Sequence, residues 1–419
     1  MEYLPRVVDA TVEQQLRVAG ALLIRGPKGC GKTETGRHHS RSELDAEDTP
    51  TVETALQIDP AIILQGQAPR LIDEWQQQPA LWNAVRREVD RRKEKGQFIL
   101  TGSATPKPEA EGQPRRHSGV GRFGIVDMRT MSWRELGWST GEVSLGDVLA
   151  GAEVRPRPDE TPITLVAERL AVGGWPGNLA LSAADAQADN LNYFDLLVEE
   201  DAARAWGVRR DPAKVRRMLQ SLARNVSTEA SLTALAADAG GGDGPLAEET
   251  VAEYLSALTA LMVEEDLPAW APRIRSRARL RQRPKRHLAD TSLCCAALGV
   301  GPDRLMADLE YLGLLFESAV IHDLRVHAAA SGGKVYHYRD SNGVEADAVI
   351  ELRDGAWAGV EIKLGFAGAA AAAASLTRFA ATVDQDAIGP PAALIVITAS
   401  GLAHRRPDGI SVIPFGLLG

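Results

Sequence analysis

The chain has 419 residues, 44% of them hydrophobic and 25% charged, with a net charge of −9 at pH 7. That length is too great for one core and predicts two to four domains, and the acidic balance excludes a chain that coats nucleic acid uniformly while permitting a local basic patch. No apolar run reaches a membrane span, the first residues lack the basic head and apolar core of a secretory signal, and Cys30, Cys294 and Cys295 are too few and too badly spaced for a disulfide framework or a zinc site, so a reducing, cytoplasmic setting without a membrane partner is expected.

Tyr3-Leu4-Pro5-Arg6 reads as extended, with Thr11 capping a helix over 12–19. Ala21-Leu22-Leu23-Ile24 suits a buried parallel strand. It feeds into Gly26-Pro27-Lys28-Gly29-Cys30-Gly31-Lys32-Thr33, which fits the phosphate-loop pattern G-x-x-x-x-G-K-[ST], and residues 33–37 can continue as a helix. The glycines let consecutive backbone N–H groups wrap anionic oxygens, and the helix start adds partial positive charge. On this reading residues 26–33 bind ATP, Lys32 reaches the β- and γ-phosphates, and the Thr33 hydroxyl ligates Mg2+. His38 and His39 are adjacent, so their side chains should diverge into solvent.

Pro69-Arg70-Leu71-Ile72-Asp73-Glu74 reads as a strand ending in two acids. Asp73 there can hold the magnesium water shell, and Glu74 can polarise the water that attacks the γ-phosphate. A helix is expected over 79–95, then a strand over 97–103 whose end carries Thr101 and Ser103. Ligands of open α/β sheets sit at strand carboxyl ends, so either hydroxyl could sense the γ-phosphate, although a plain Thr-Gly-Ser turn explains them equally well. The polar stretch 106–121 reads as a loop before a strand at 125–128. Arg122 at its end is read either as an arginine finger, hinting at a homo-oligomer, or as an ordinary solvated loop residue.

Taken together, Gly-Pro-Lys-Gly-Cys-Gly-Lys-Thr, Leu-Ile-Asp-Glu-Trp-Gln and Phe-Ile-Leu-Thr-Gly-Ser-Ala resemble a prokaryotic family of AAA-type ATPases over nearly the whole chain. The resemblance implies that the ATPase is coupled to a C-terminal domain of unknown function with a restriction-endonuclease-like core. It also implies that residues 160–210, with Gly173-Gly174-Trp175-Pro176, form the small helical lid.

Beyond Asp211 an amphipathic helix over 214–225, a short helix over 231–239, a glycine turn and a helix over 246–262 precede a strand-like stretch at 263–270. This order suggests a winged helix-turn-helix with 246–262 as recognition helix. Arg273, Arg275, Arg277, Arg279, Arg281, Arg283, Lys285 and Arg286 then crowd one segment, and in an extended chain the odd positions share a face. A basic stripe against the global charge reads as a wing gripping the backbone of nucleic acid, DNA in the first instance; the plainer reading is a solvated loop or pairing with the protein's own acids. Cys294 and Cys295 read as small core residues.

In the last third a helix is expected over 305–325, carrying Glu317. Strands at 334–339, 344–350 and 358–363 follow, separated by Asn342-Gly343 and Asp354-Gly355 turns, then a helix starting near 367 and a strand at 393–398. Asp347 on one strand and Glu361-x-Lys363 on the next resemble the PD-(D/E)xK nucleases. That resemblance implies that Glu317, Asp347 and Glu361 hold a second divalent ion while Lys363 orients or activates the attacking water. A solvated strand pair, or a nuclease fold that has lost catalysis, gives the same pattern.

The expected architecture is therefore α/β: an ATPase core at 1–158, a lid at 159–210, a winged helix-turn-helix at 211–290 and a nuclease-like domain at 291–419. The expected activity is Mg2+-dependent ATP hydrolysis coupled to nucleic-acid binding or processing. The alternatives are an ATP-gated DNA-binding regulator whose nuclease-like domain is inactive, and a remodelling ATPase that acts on protein.

Overall fold

The structure, a computed structural model, describes residues 3–102, 117–202, 205, 210–272 and 282–419. They divide into two compact units. The first runs to Thr130 and takes in residues 205 and 257–263; the second comprises 131–202, 210–256 and 264–419. The expected boundary at 158 thus falls inside the second unit.

The first unit is a parallel sheet of β1 (Ala21–Arg25), β2 (Ser42–Asp45), β3 (Arg70–Asp73), β4 (Phe98–Gly102) and β5 (Phe123–Asp127), in the order β2-β3-β4-β1-β5. Phe98, Ile99 and Leu100 are all fully buried, which is why this strand reads as an unbroken apolar run rather than an alternating one. One face packs Val12, Leu22, Ile24, Leu71, Ile99 and Val126 together. The other packs Phe98, Leu100 and Ile72 against Trp75, Trp82 and Val85, the last two from the helix Ala80–Arg92. The first helix, Asp9–Val18, begins before Thr11 and has no side-chain cap. Because β4 lies between β1 and β3, the ends of those three strands form one continuous edge, and that edge holds the phosphate loop.

The second unit holds the helices Pro212–Arg224 and Leu232–Gly240 and the first nine residues of the helix Glu248–Ala260, whose end from 257 counts with the first unit; a short antiparallel ribbon, in which Glu264 faces Leu288 and Leu267 faces Lys285, follows in the chain. Residues 163–172 and 183–196 are helical. Their linker docks on the helix Thr291–Leu298: Gly174 N–H reaches Asp290 at 2.9 Å and Trp175 Nε1 reaches Ser292 at 2.9 Å. Cys294 and Cys295 are buried in that helix, as expected.

A seven-stranded sheet completes the unit. Its members are β6 (Arg157–Asp159), β7 (Lys334–Arg339), β8 (Glu345–Glu351), β9 (Trp357–Lys363), β10 (Ala393–Thr398), β11 (Gly401–Arg405) and β12 (Ser411–Pro414), in the order β6-β11-β12-β10-β9-β8-β7. Strands β7, β8 and β9 are antiparallel neighbours, whereas β9, β10 and β12 run parallel. The helix Ala369–Thr382 covers one face with Leu376 and Phe379, packed on Trp357, Val349 and Val396. The helix expected over 305–325 is two helices, Pro302–Met306 and Leu309–Ala330, because the Asp308 carboxylate accepts Tyr311 N–H at 3.0 Å and starts the second one afresh. Among the described residues no helix is long and apolar enough to cross a membrane.

Candidate functional site

Gly31, at φ 99°, turns the loop 26–33 into the helix Lys32–His38, a backbone state few other residues adopt cheaply. Gly26 is required for a different reason: a Cβ there would sit 2.3 Å from the Met128 carbonyl oxygen. Lys32 is 5% exposed, and its Nζ donates to the Pro27 carbonyl at 2.8 Å, so the ammonium stands inside the loop it serves. The Cys30 side chain is fully buried and burial pushes its thiol pKa up, which leaves only backbone groups of Cys30 for a ligand. One contributor is illegible in the sequence. Arg6, 8% exposed, donates to the Cys30 carbonyl and to the Arg129 carbonyl, each at 2.9 Å, and so braces the loop from behind.

At the neighbouring strand end Asp73 is 9% exposed, and its Oδ1 accepts the Thr33 hydroxyl at 3.0 Å and the Thr101 hydroxyl as well. Two oxygens that share an octahedral Mg2+ at 2.0–2.1 Å stand about 2.9 Å apart, so Thr33 and Asp73 fit that ion. Bound there with a nucleotide, Mg2+ would neutralise charge on the phosphates. Thr101, read either as a γ-phosphate sensor or as a plain turn residue, gives its hydroxyl to Asp73; Ser103 lies outside the described residues. Glu74 takes a left-handed backbone at φ 49°, which turns its carboxylate out of the strand line. There it accepts the Gln76 amide, and burial raises its pKa.

Arg122, read either as an arginine finger or as a solvated loop residue, stands away from its own phosphate loop. Its neighbour Phe123 pairs with Ala21, the first residue of β1, whereas the phosphate loop follows the last. Since β1 has five residues, Arg122 lies roughly 16 Å away at the amino edge of the sheet. There it pairs with Asp90 at 2.9 Å on the protein surface. The two histidine rings do not diverge as expected, although His38 is exposed as expected. The helix ends at His38, so His39 turns back and reaches Asp9 Oδ1 at 3.0 Å with a side chain only 8% exposed, while His38 stacks on Tyr3. Among the described residues Asp9, His38 and His39 come close enough together to share an ion, but Asp9 already accepts Tyr3 Oη and Arg6 N–H, each at 2.7 Å.

A second polar cluster lies in the other unit. Asp347 on β8, Glu361 and Lys363 on β9 and Glu317 on the long helix come together as the nuclease resemblance implies. Lys363 Nζ stands 2.9 Å from Glu361 Oε2 and 3.4 Å from Asp347 Oδ2, and that second oxygen also accepts Ile362 N–H at 2.8 Å. Burial raises Glu317 and Glu361, with Asp347 adding to both. Burial also pushes Asp347 upward, but Lys285 and Lys363 outweigh it and hold Asp347 low.

The expected divalent ion does not fit this set, because a cation is already present. Lys285 Nζ lies 2.6 Å from Glu317 Oε1 and 3.8 Å from Asp347 Oδ1. Two members of the expected basic stripe are thereby corrected to internal pairs: Lys285 here, and Arg286, which bonds Asp266 at 2.7 Å and is 8% exposed. Arg283 is exposed, and residues 273–281 lie outside the described residues.

Comparison with known proteins divides the chain in three. A profile described as an AAA domain matches residues 19–137; domains of unknown function, DUF8612 and DUF4143, match 163–304 and 312–418. The expected borders at 210 and 290 therefore fall within one matched domain. Uncharacterized protein Rv2008c of Mycobacterium tuberculosis and uncharacterized protein Mb2031c of Mycobacterium bovis are each 30% identical over 366 residues, spanning 85% of this chain and 73% of theirs. Among solved structures, the Aeropyrum pernix ORC2 protein in ADPNP and ADP complexes is 12% identical, with a TM-score of 0.30, and covers 72% of this chain and 93% of its own. The Aeropyrum pernix ORC1 protein in complex with DNA is 15% identical, with a TM-score of 0.22, and covers 74% and 95%. Scores that low carry no structural argument here.

Proposed function

The chain belongs to the same family as these uncharacterized mycobacterial proteins, and we propose that it is a Mg2+-dependent ATPase that couples ATP turnover to nucleic-acid binding. The observation that carries the ATPase half is the Asp73 carboxylate, held by Thr33 and Thr101 beside a preformed phosphate loop. Backbone N–H groups of residues 26–33 and the Lys32 ammonium would take the phosphates, and Thr33 and Asp73 would hold Mg2+. The Glu74 carboxylate would orient the attacking water and accept its proton.

The coupling half rests on the order of elements after Asp211. Three helices followed by a ribbon match a winged helix-turn-helix, and the ribbon's connecting segment carries Arg273, Arg275, Arg277, Arg279 and Arg281. Those arginines would grip phosphate backbone with strong salt dependence and little sequence reading. The strand and helix order from Leu309 to Thr398 supports a nuclease-like fold. The lysine against its acids favours the regulator reading, in which that fold is structural and does not cut.

Two measurements test the proposal. Lys32→Ala should lose ATP binding or turnover with the fold intact, and undiminished hydrolysis in that variant would sink the ATPase assignment. Replacing the five arginines by alanine should weaken duplex DNA binding and flatten its salt dependence. Unchanged DNA binding would favour a remodelling ATPase that acts on protein.

A further inference from the structure

We infer that Lys285 is the built-in cation of the Glu317–Asp347–Glu361 cluster, its ammonium occupying the place a divalent metal ion would take between Glu317 and Asp347 and so excluding it. The inference rests on the nuclease-like reading of the fold and extends it to what the site holds. The distances assign each carboxylate a partner. Glu317 Oε1 and Asp347 Oδ1 face Lys285 Nζ at 2.6 and 3.8 Å, while Asp347 Oδ2 and Glu361 Oε2 face Lys363. An ion bound at 2.0–2.6 Å to Glu317 and Asp347 would press directly on a like charge in a poorly screened pocket, so ion and ammonium cannot share it.

Lys285 is also not a free surface side chain that happened to fall inward. It is 13% exposed, and its backbone exchanges two hydrogen bonds with Leu267, at 2.8 and 3.0 Å. The residues after Leu267 are in turn laid along β7: Trp270 N–H reaches the His337 carbonyl at 2.7 Å and His337 N–H reaches the Pro268 carbonyl at 3.0 Å. The His337 ring adds a contact from Nε2 to the Arg283 carbonyl at 3.0 Å, two residues before the lysine. Ribbon, strand and ring therefore fix the backbone that delivers the ammonium. The cluster's task is then to clasp the ribbon to the long helix and to β8, with charge supplied by the chain itself.

The test is Mn2+ binding to the full-length, nucleotide-free protein, read by electron paramagnetic resonance. Wild type, Asp347→Asn, Lys285→Met and Lys285→Met/Asp347→Asn are compared. Wild type and Asp347→Asn should bind Mn2+ alike. Lys285→Met should gain one site, at least tenfold tighter than anything at this cluster in wild type, and the double variant should lose it. Mn2+ should raise the melting temperature of Lys285→Met and leave that of wild type unchanged. Binding in wild type that Asp347→Asn abolishes overturns the inference, and so does a folded Lys285→Met protein that gains no site. If Lys285→Met fails to fold, the comparison of wild type with Asp347→Asn still decides. ATP turnover and DNA binding of the same wild-type preparation report separately on the proposed function, whose failure would leave the Mn2+ result standing.

Discussion

Thr33 Oγ1 stands 3.0 Å from Asp73 Oδ1, joining the start of the phosphate-loop helix to the end of β3 across the intervening strand. In the strand order β4 lies between β1 and β3, and Thr101 on β4 donates its hydroxyl to the same Asp73 oxygen. A hydroxyl and a carboxylate so placed are ready for one ion. Thr33→Ala should raise the Mg2+ concentration needed for half-maximal ATP turnover by roughly 10- to 100-fold, with Thr33→Ser restoring it. A Mg2+ titration of phosphate release checks this, and an unchanged midpoint counts against the placement.

Glu74 combines a left-handed backbone with a half-buried carboxylate, and holding a glutamate at φ 49° costs on the order of 1–3 kcal/mol. Glu74→Gln should keep ATP binding within a few-fold and lower turnover by roughly 10²- to 10⁴-fold. Glu74→Gly should lose turnover too, yet unfold at a higher temperature than Glu74→Gln. Equal melting temperatures for the two variants would show that no strain is stored there.

The close approach at Gly26 gives a stability prediction independent of catalysis. A methyl group 2.3 Å from the Met128 carbonyl oxygen must displace either the loop or the end of β5, and Gly26→Ala should cost about 1–3 kcal/mol. Denaturant midpoints measure it. ATP affinity should fall in the same variant, because the displaced backbone is the one that faces the phosphates.

His337 contributes to the pH dependence of the second unit, alongside His287 and His327, whose pKa values burial also lowers. Burial pushes the His337 pKa down to about 4 from the ordinary 6.5. Between those values the unfolded chain binds a proton that folded His337 refuses, so the contribution of this group to stability rises with pH across the window and falls as pH drops from 6.5 to 4, levelling off below. The full difference is of order 3 kcal/mol. The rise of the melting temperature with pH over that range should be less steep in His337→Gln than in wild type. A wild-type profile of the same slope as the variant's would assign the effect to another group.

The parts visible in the sequence were those fixed by local chemistry. Gly26 to Thr33, the acids closing β3 and the Glu361-x-Lys363 alternation each need only neighbouring residues, and each is where its pattern put it. Relationships set by strand order were not visible. Thr101 turns to Asp73 because β4 sits between two strands distant from it in sequence, and Arg122 lies at the edge away from its own phosphate loop because β5 runs parallel to β1. Lys285 was one basic residue among eight until the fold placed Glu317 and Asp347 beside it. Arg6 carries no signal at all in the sequence, since bracing a loop through carbonyl groups asks nothing of the partners' side chains.

The segment after Thr130 has a practical consequence. Val143 N–H bonds the Leu417 carbonyl and Gly419 N–H bonds the Val143 carbonyl, each at 2.9 Å, while β6 lies along β11. An expression fragment beginning at 159 would strip that cover and leave β11 with a bare row of backbone donors and acceptors, an open template on which a second molecule could add a strand. Such a fragment should self-associate, whereas one beginning at 131 keeps its own edge closed, and light scattering would distinguish the two.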